Sequence, residues 1–181
     1  MKKLCINLSA SIWFLLSGAA QAITIEWTLN DVVFTDGGTA SGSFFYDTDT
    51  STYSNVSIAT TTGSIRSGEN YGNPAWAWGS IGLAVTPLEL SDYTGAPGLL
   101  LIFTGGPLID PTATYGLLSG YQAEGICGSV GCDGGLSNVG VRSIPAGLGG
   151  TLTGTVVPIP AAVWLFGSAL VLLGWMRKIN A

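Results

Sequence analysis

The stretch at residues 23–63, ITIEWTLNDVVFTDGGTASGSFFYDTDTSTYSNVSIATTTG, decides the fold. In its first part, apolar residues stand at every second position: Ile23, Ile25, Trp27 and Leu29. Successive side chains of a strand point to opposite faces, so this alternation indicates a strand with one face buried. The sequence therefore predicts a half-buried strand over 23–30.

Two turn signals follow this strand. Residues 35–38 read TDGG, and glycine accepts the positive φ that tight hairpins need. ASGSFFY at 40–46 is predicted to be the second strand, DTDTST at 47–52 a turn, and YSNVSIAT at 53–60 the third strand. We expect these three strands to form an antiparallel meander.

The rest of the body carries weaker strand patterns between Gly and Pro breaks, at 81–90, 98–105, 112–126 and 150–157. It shows no charged amphipathic repeat of helical length. At least seven short strands within about 130 residues are typical of a sandwich. We therefore predict an all-β body over 23–155, an antiparallel β-sandwich or jelly-roll-like domain.

The charge of the body excludes two classes of partner. Charged residues make up only 9% of the chain, against about 25% in average soluble domains. All eleven acidic residues lie between Glu26 and Asp133, and the only basic residues of the body 23–155 are Arg66 and Arg142. The body therefore carries a net charge of −9. Such a surface repels nucleic acid and anionic lipid, and we expect neither to bind it.

Residues 1–22, MKKLCINLSASIWFLLSGAAQA, have the three parts of a secretory signal peptide. Lys2 and Lys3 form the charged start, and a short apolar run follows. Ala20 and Ala22 frame an A-x-A cleavage site. We expect export through the Sec translocon and cleavage by signal peptidase after Ala22, with an uncleaved anchor as the alternative.

Residues 156–181 predict a transmembrane helix with a basic tip. No charge occurs from Ala161 to Trp175. A helix over 156–176 would be ~31 Å long, which matches a hydrocarbon core of ~30 Å. Arg177 and Lys178 then stay in the cytoplasm by the positive-inside rule. The apolar side chains contribute only about 2–4 kcal/mol to insertion, so the anchor is marginal.

A short motif stands at the start of this segment: Val157, Pro158, Ile159, Pro160 and Ala161. Proline is tolerated in the first turn of a helix but not in its interior. The helix is therefore predicted to begin near Pro160, with the preceding residues extended. An extended segment can enter a protease cleft, whereas a helix must first unwind.

The order of motif, apolar helix and basic tip over Val157–Lys178 resembles the PEP-CTERM sorting signal of Gram-negative bacteria. It is more similar to the variant with the motif Val-Pro-Leu-Pro-Ala. The usual motif has a glutamate between the prolines, and Ile159 stands at that position in this chain. The resemblance implies cleavage near Pro158, Ile159 and Pro160 by a membrane-embedded exosortase. It also implies an inner-membrane intermediate with a periplasmic body, followed by release to the cell surface or an extracellular matrix associated with exopolysaccharide and biofilm. A plain single-pass membrane protein is the alternative.

Cys127 and Cys132 are the cysteines that remain once residues 1–22 are removed. In an oxidising compartment their C-x4-C spacing predicts a disulfide that closes a small loop. By loop entropy this bond contributes about 2 kcal/mol. A metal site would need further soft ligands, and the chain has no His, while a redox motif would read C-x-x-C. We expect a structural disulfide and neither a metal nor a cofactor.

The residue content argues against an enzyme. Without His, Ser–His and Cys–His catalysis are absent, and no two carboxylates stand in a context that indicates a raised pKa. Asp47 and Asp49 do not begin an EF-hand, because Thr52 and Ile58 occupy the positions of its Gly and Glu. The first hypothesis is therefore a non-enzymatic surface or matrix protein, and a hydrolase ranks third.

Residues 70–79, NYGNPAWAWG, supply the second hypothesis, a carbohydrate-binding module. Trp76 and Trp78 share one face if this segment is a strand, and Tyr71 is near. A row of aromatic rings can stack on the flat apolar faces of sugars. Burial of both tryptophans in the core is the alternative.

Overall fold

Eleven strands form one antiparallel sheet in the computed structural model, which describes residues 23–87, 95–147 and 149–158 and the single residue Gly167. The strands are β1 Thr24–Val33, β2 Thr39–Asp47, β3 Thr52–Thr60, β4 Asn70–Tyr71, β5 Asn73–Ala77, β6 Gly82–Thr86, β7 Pro97–Thr104, β8 Thr114–Leu117, β9 Gln122–Cys127, β10 Leu136–Ser143 and β11 Thr151–Val156. Within the described ranges, short 3-10 helices span Gly79–Ile81 and Val130–Cys132. The prediction of an all-β antiparallel body is confirmed.

The first three strands form the predicted meander. β1 pairs with β2 and β2 with β3, both antiparallel. The alternation in β1 buries Ile25, Trp27 and Leu29 on one face, as the sequence indicates. Ile23 lies just before β1 and is 48% exposed. Local alternation and turn residues are therefore sufficient to define this part of the fold.

β7 joins two halves of the sheet. One half has the strand order β4-β3-β2-β1-β11-β8, and the other contains β5, β6, β7, β9 and β10. The first part of β7 pairs with β6 and β9, whereas Phe103 and Thr104 at its end pair with β8. A single strand therefore carries the chain from one half to the other.

Both halves contribute to one main core. Phe44 of β2 stacks on Phe103 of β7 with 5.7 Å between ring centroids. Trp27 meets Tyr115 edge to face at 5.0 Å. The Tyr53 hydroxyl donates a hydrogen bond of 2.6 Å to the carbonyl oxygen of Gly79. The Phe44–Phe103 stack and the Tyr53 hydrogen bond join the two halves, whereas Trp27 and Tyr115 both lie in the half that contains β1 and β8.

Two details of the strand prediction were wrong. Residues 112–126, taken as one candidate, contain β8 and β9 separated by a turn. β10 follows from no pattern identified in the sequence, because Leu136–Ser143 lacks a regular alternation of apolar and polar residues.

The predicted signal peptide at 1–22 and the predicted transmembrane helix lie outside the described residues, apart from Gly167, which is helical and exposed. Within the described ranges, no helix is long and apolar enough to cross a membrane.

Candidate functional site

An aromatic pair lies at the end of β5. Trp76 is in the strand, and Trp78 directly precedes the 3-10 helix Gly79–Ile81. Their ring centroids are 3.9 Å apart and their planes meet at 80°. Both are half-buried and pack against a small apolar cluster outside the main core, formed by Ala84, Leu100, Cys127 and Cys132. The two tryptophans predicted to lie together therefore do so, with part of their surface in solvent.

A shallow cavity of about 230 Å³ opens beside Trp76. It is lined by Ser51, Thr52, Tyr53, Pro74, Trp76 and Ala77. Ser51, at the end of the β2–β3 turn, and Thr52, the first residue of β3, are both exposed. The Thr52 Oγ1 lies 2.8 Å from the Thr50 Oγ1, which holds its hydroxyl in place. The fold thus places an indole beside exposed hydroxyl groups from another part of the chain.

Tyr71 does not belong to this surface, and the prediction that it stacks on a sugar is wrong. It is 2% exposed, and its hydroxyl donates a hydrogen bond of 2.8 Å to Glu124 Oε1. Burial, followed by the charge of Glu124, raises the pKa of Tyr71 well above its usual value. Tyr71 pairs with Ile58 in the sheet, and both side chains point into the core.

Cys127 and Cys132 form a disulfide, as their spacing predicts. Their Cα atoms are 4.7 Å apart and both residues are 2% exposed. The bond lies directly over Gly98 of β7, where an added Cβ would stand 2.5 Å from Cys132 Sγ and 2.6 Å from Cys127 Sγ. The disulfide therefore holds the loop after β9 against the sheet and forms part of the support under the tryptophan pair.

A buried ionic network is the feature that sequence analysis missed. Arg142 of β10, Glu124 of β9 and Asp36 of the β1–β2 turn have side chains that are 0% exposed. Arg142 donates from Nε and Nη2 to Glu124 Oε2 at 2.8 and 2.6 Å. Its Nη1 donates to both Asp36 carboxylate oxygens at 3.3 Å and to the Thr61 carbonyl oxygen at 2.9 Å. The guanidinium also lies 4.2 Å above the centre of the Phe34 ring.

The two carboxylates have further partners. Glu124 Oε1 accepts hydrogen bonds from the hydroxyls of Tyr71 and Thr60 at 2.8 and 3.2 Å. Asp36 accepts three backbone N–H groups, from Gly38, Ile65 and Arg66. These charges are closed off from solvent, so a substrate has no access to them. The network is therefore structural, and it ties the β1–β2 turn to β9 and β10.

We expect the body to lose stability in acid through Asp36. Burial by itself raises the pKa of Asp36, but the N–H groups of Gly38 and Ile65, the charge of Arg142 and the N–H of Arg66 outweigh it, and the pKa lies below its usual 3.8. A carboxyl with a lower pKa in the folded state stabilises above its unfolded pKa, and this contribution is lost as pH falls through the folded value. Urea midpoints should therefore fall below about pH 4.

Asp36→Asn should make that decline shallower, because the variant has no carboxyl to protonate at this position. Asp49→Asn, in the exposed β2–β3 turn, is the matched control and should retain the wild-type dependence. Equal acid sensitivity in Asp36→Asn and wild type would contradict the assignment.

Asp47 has the turn role that the sequence suggests. Its Oδ1 accepts the backbone N–H groups of Asp49 and Thr50 at 3.0 and 2.8 Å. These hydrogen bonds lower the pKa of Asp47 below its usual value, and the bond from the Thr50 N–H has the largest effect. In the part of the chain that the structure describes, no group of three or more His, Cys, Asp or Glu residues is arranged to hold a metal ion.

The predicted sorting motif begins where the sheet ends. β11 pairs with β1, with Val156 opposite Ile25, and the Val157 N–H donates to the Thr24 carbonyl oxygen at 2.9 Å. Pro158 is exposed and outside any strand. The other predicted processing residues lie outside the described residues: Ala20, Ala22, Ile159, Pro160, Ala161, Arg177 and Lys178.

No protein-family model, no curated protein and no solved structure matches this chain. These comparisons therefore add nothing to the assignment of its function, which depends on the sequence motifs, the residues and their geometry.

Proposed function

We propose that this chain is an exported, non-enzymatic protein of the cell surface or extracellular matrix, which an exosortase releases from its C-terminal anchor within Val157–Ala161. The body would be a β-sandwich in which the two halves of the sheet cover one core. One observation carries the proposal: the motif starts at the first residue beyond β11. Val157 makes a last backbone hydrogen bond to Thr24, and Pro158, which has no N–H to donate, is exposed.

The position of β1 fits two processing events. Thr24, which begins β1, is the hydrogen-bond partner of Val157. The proposed signal-peptidase site after Ala22 and the proposed sorting site would therefore lie at the same end of the body. An intermediate held in the inner membrane would then be attached at that end, with the rest of the body in the periplasm of a Gram-negative cell.

We expect the mature protein from its native host to lack both ends. Its intact mass should correspond to a chain that starts at Ile23 and ends within Val157–Ala161. Changing both Pro158 and Pro160 to alanine should leave most of the protein with its tail, in the membrane fraction. The reason is that alanine allows the segment to join the helix, and a helical segment does not fit an extended protease cleft.

Pro107→Ala, at an exposed position of the body, is the matched control and should be processed like wild type. A wild-type mass that includes residues beyond Ala161 would overturn the sorting proposal and favour the plain single-pass membrane protein. Normal maturation of the double proline variant would also overturn recognition of the motif.

A second candidate function is carbohydrate binding, with exopolysaccharide as the partner. The observation that favours it is the open cavity beside Trp76, where a half-buried indole and exposed hydroxyl groups meet. This function is compatible with delivery to the surface and does not depend on how the tail is processed.

A further inference from the structure

We infer that the cavity beside Trp76 binds one pyranose ring of an uncharged polysaccharide. This inference rests on the second candidate function and specifies its ligand class and its residues. The binding surface consists of Trp76 and Pro74 on the apolar side and of Ser51 and Thr52 on the polar side. Neither Tyr71, which is in the core, nor the buried ionic network takes part.

The apolar side of the cavity has a fixed geometry. Trp76 is held by its edge-to-face contact with Trp78 and by the small cluster that includes the disulfide. Pro74 has a restricted backbone and lines the same cavity, although a bulge between Pro74 and Trp76 interrupts the alternation of β5. A rigid apolar surface of this kind binds the C–H face of a sugar without losing side-chain entropy.

The polar side supplies hydrogen bonds at the rim. Ser51 and Thr52 are exposed, and the Thr50–Thr52 contact orients the Thr52 hydroxyl. A hydroxyl both donates and accepts, which suits the hydroxyls of a sugar ring. An indole with hydroxyl groups at its edge therefore provides both kinds of contact that a pyranose needs.

The charges near the cavity favour a neutral sugar. The lining residues carry no charge, and Asp47 at the end of β2 and Asp49 in the β2–β3 turn stand close to Ser51 and Thr52 in sequence. Backbone hydrogen bonds, chiefly from the Thr50 N–H, lower the pKa of Asp47 below its usual value. A uronate or a sulfated sugar would be repelled by these carboxylates and by the acidic body as a whole.

The size of the cavity sets the length of ligand that is recognised. Its volume of about 230 Å³ lies below the roughly 300–1,000 Å³ of sites that enclose a drug-sized ligand. One ring can occupy it while the rest of a polymer remains in solvent. Binding at a single cavity should therefore be weak, and many copies in a matrix would bind one long chain by avidity.

The test uses the protein in the form that the producing cell exports, titrated calorimetrically with cellohexaose, mannohexaose and galactohexaose as uncharged probes and trigalacturonate as an anionic probe. Wild type should bind at least one uncharged probe and not trigalacturonate. Trp76→Ala should weaken that binding about tenfold or more, because it removes the aromatic anchor of the site. Thr52→Val should weaken it about two- to tenfold, as expected for one lost hydrogen bond.

Matched controls separate the site from general effects. Tyr121→Ala removes an exposed aromatic ring elsewhere, and Thr155→Val removes an exposed strand hydroxyl on β11. Both should bind like wild type. If Trp76→Ala does not fold, Trp76→Leu keeps apolar cover over the cluster while removing the flat ring, and it should show the same loss.

The possible failures differ in what they overturn. If wild type binds an uncharged probe and the variants at Trp76 and Thr52 bind it equally well, the cavity assignment is wrong while carbohydrate binding stands. If wild type binds none of the uncharged probes, both the assignment and the second candidate function are wrong. Preferential binding of trigalacturonate would overturn the choice of a neutral sugar.

Discussion

Arg142→Met should lower the free energy of unfolding by about 3–5 kcal/mol, because it leaves two buried carboxylates without their cation. Glu124 and Asp36 both lose charged hydrogen bonds that Arg142 donates at 2.6–3.3 Å. Methionine fills much of the same volume, so the loss measures the missing charge more than missing packing. Urea unfolding of the exported protein at neutral pH, followed by tryptophan fluorescence, gives the difference.

Arg66→Met is the matched control, because Arg66 is only partly buried and donates from Nη1 to the Gly140 carbonyl oxygen at 3.1 Å. Arg66→Met should lower the free energy of unfolding by about 1 kcal/mol, as expected for the loss of one hydrogen bond. A triple variant with Asp36→Asn, Glu124→Gln and Arg142→Met should recover part of the loss, since no buried charge remains. If Arg142→Met cost no more than Arg66→Met, the network would not be a main source of stability.

The ionic network shows where inference from sequence ends. The turn at 35–38 was predicted from its glycines, and the structure confirms a turn between β1 and β2. The partner of Asp36, however, is Arg142, 106 positions along the chain, and no local pattern connects them. A usable signal was present: Arg142 is one of two basic residues in the body, and Glu124 stands in an otherwise uncharged strand. Charged residues are rarely fully buried unless they are paired, so Arg142 and Glu124 would have been candidates for a pair once their strands were known to be buried.

The aromatic site shows a different limit. Closeness in sequence suggested that Tyr71 lies near the two tryptophans, but the chain changes its pairing partner at Gly72. Tyr71 belongs to β4 and pairs with β3, whereas Trp76 belongs to β5 and pairs with β6. Closeness along the chain indicates a shared surface only within one strand, and the break between β4 and β5 separates Tyr71 from the tryptophans. The disulfide was predictable because both of its residues lie in one short loop.

Gly98→Ala should destabilise the body by about 3–5 kcal/mol, since overpacking costs about 1–3 kcal/mol and loss of the disulfide loop about 2 kcal/mol. The added methyl would stand 2.5 and 2.6 Å from the two disulfide sulfurs, and Leu136 Cδ2, at 3.1 Å, limits movement away from them. We expect a lower urea midpoint and, in thiol titration of the unfolded protein, more free thiol than in wild type.

The effect of Gly98→Ala should depend on the cysteines. With Cys127→Ala and Cys132→Ala already present, the sulfurs are gone. Gly98→Ala should then lower the free energy of unfolding only slightly, or raise it by about 0.4–1 kcal/mol by restricting the unfolded chain. Gly128→Ala is the matched control beside the same loop, where an added Cβ meets nothing closer than the Gly135 carbonyl oxygen at 3.5 Å. Only a disulfide packed against Gly98 makes the stability change caused by Gly98→Ala depend on Cys127 and Cys132. Equal losses of stability with and without the two cysteines would therefore contradict the placement of the disulfide over β7.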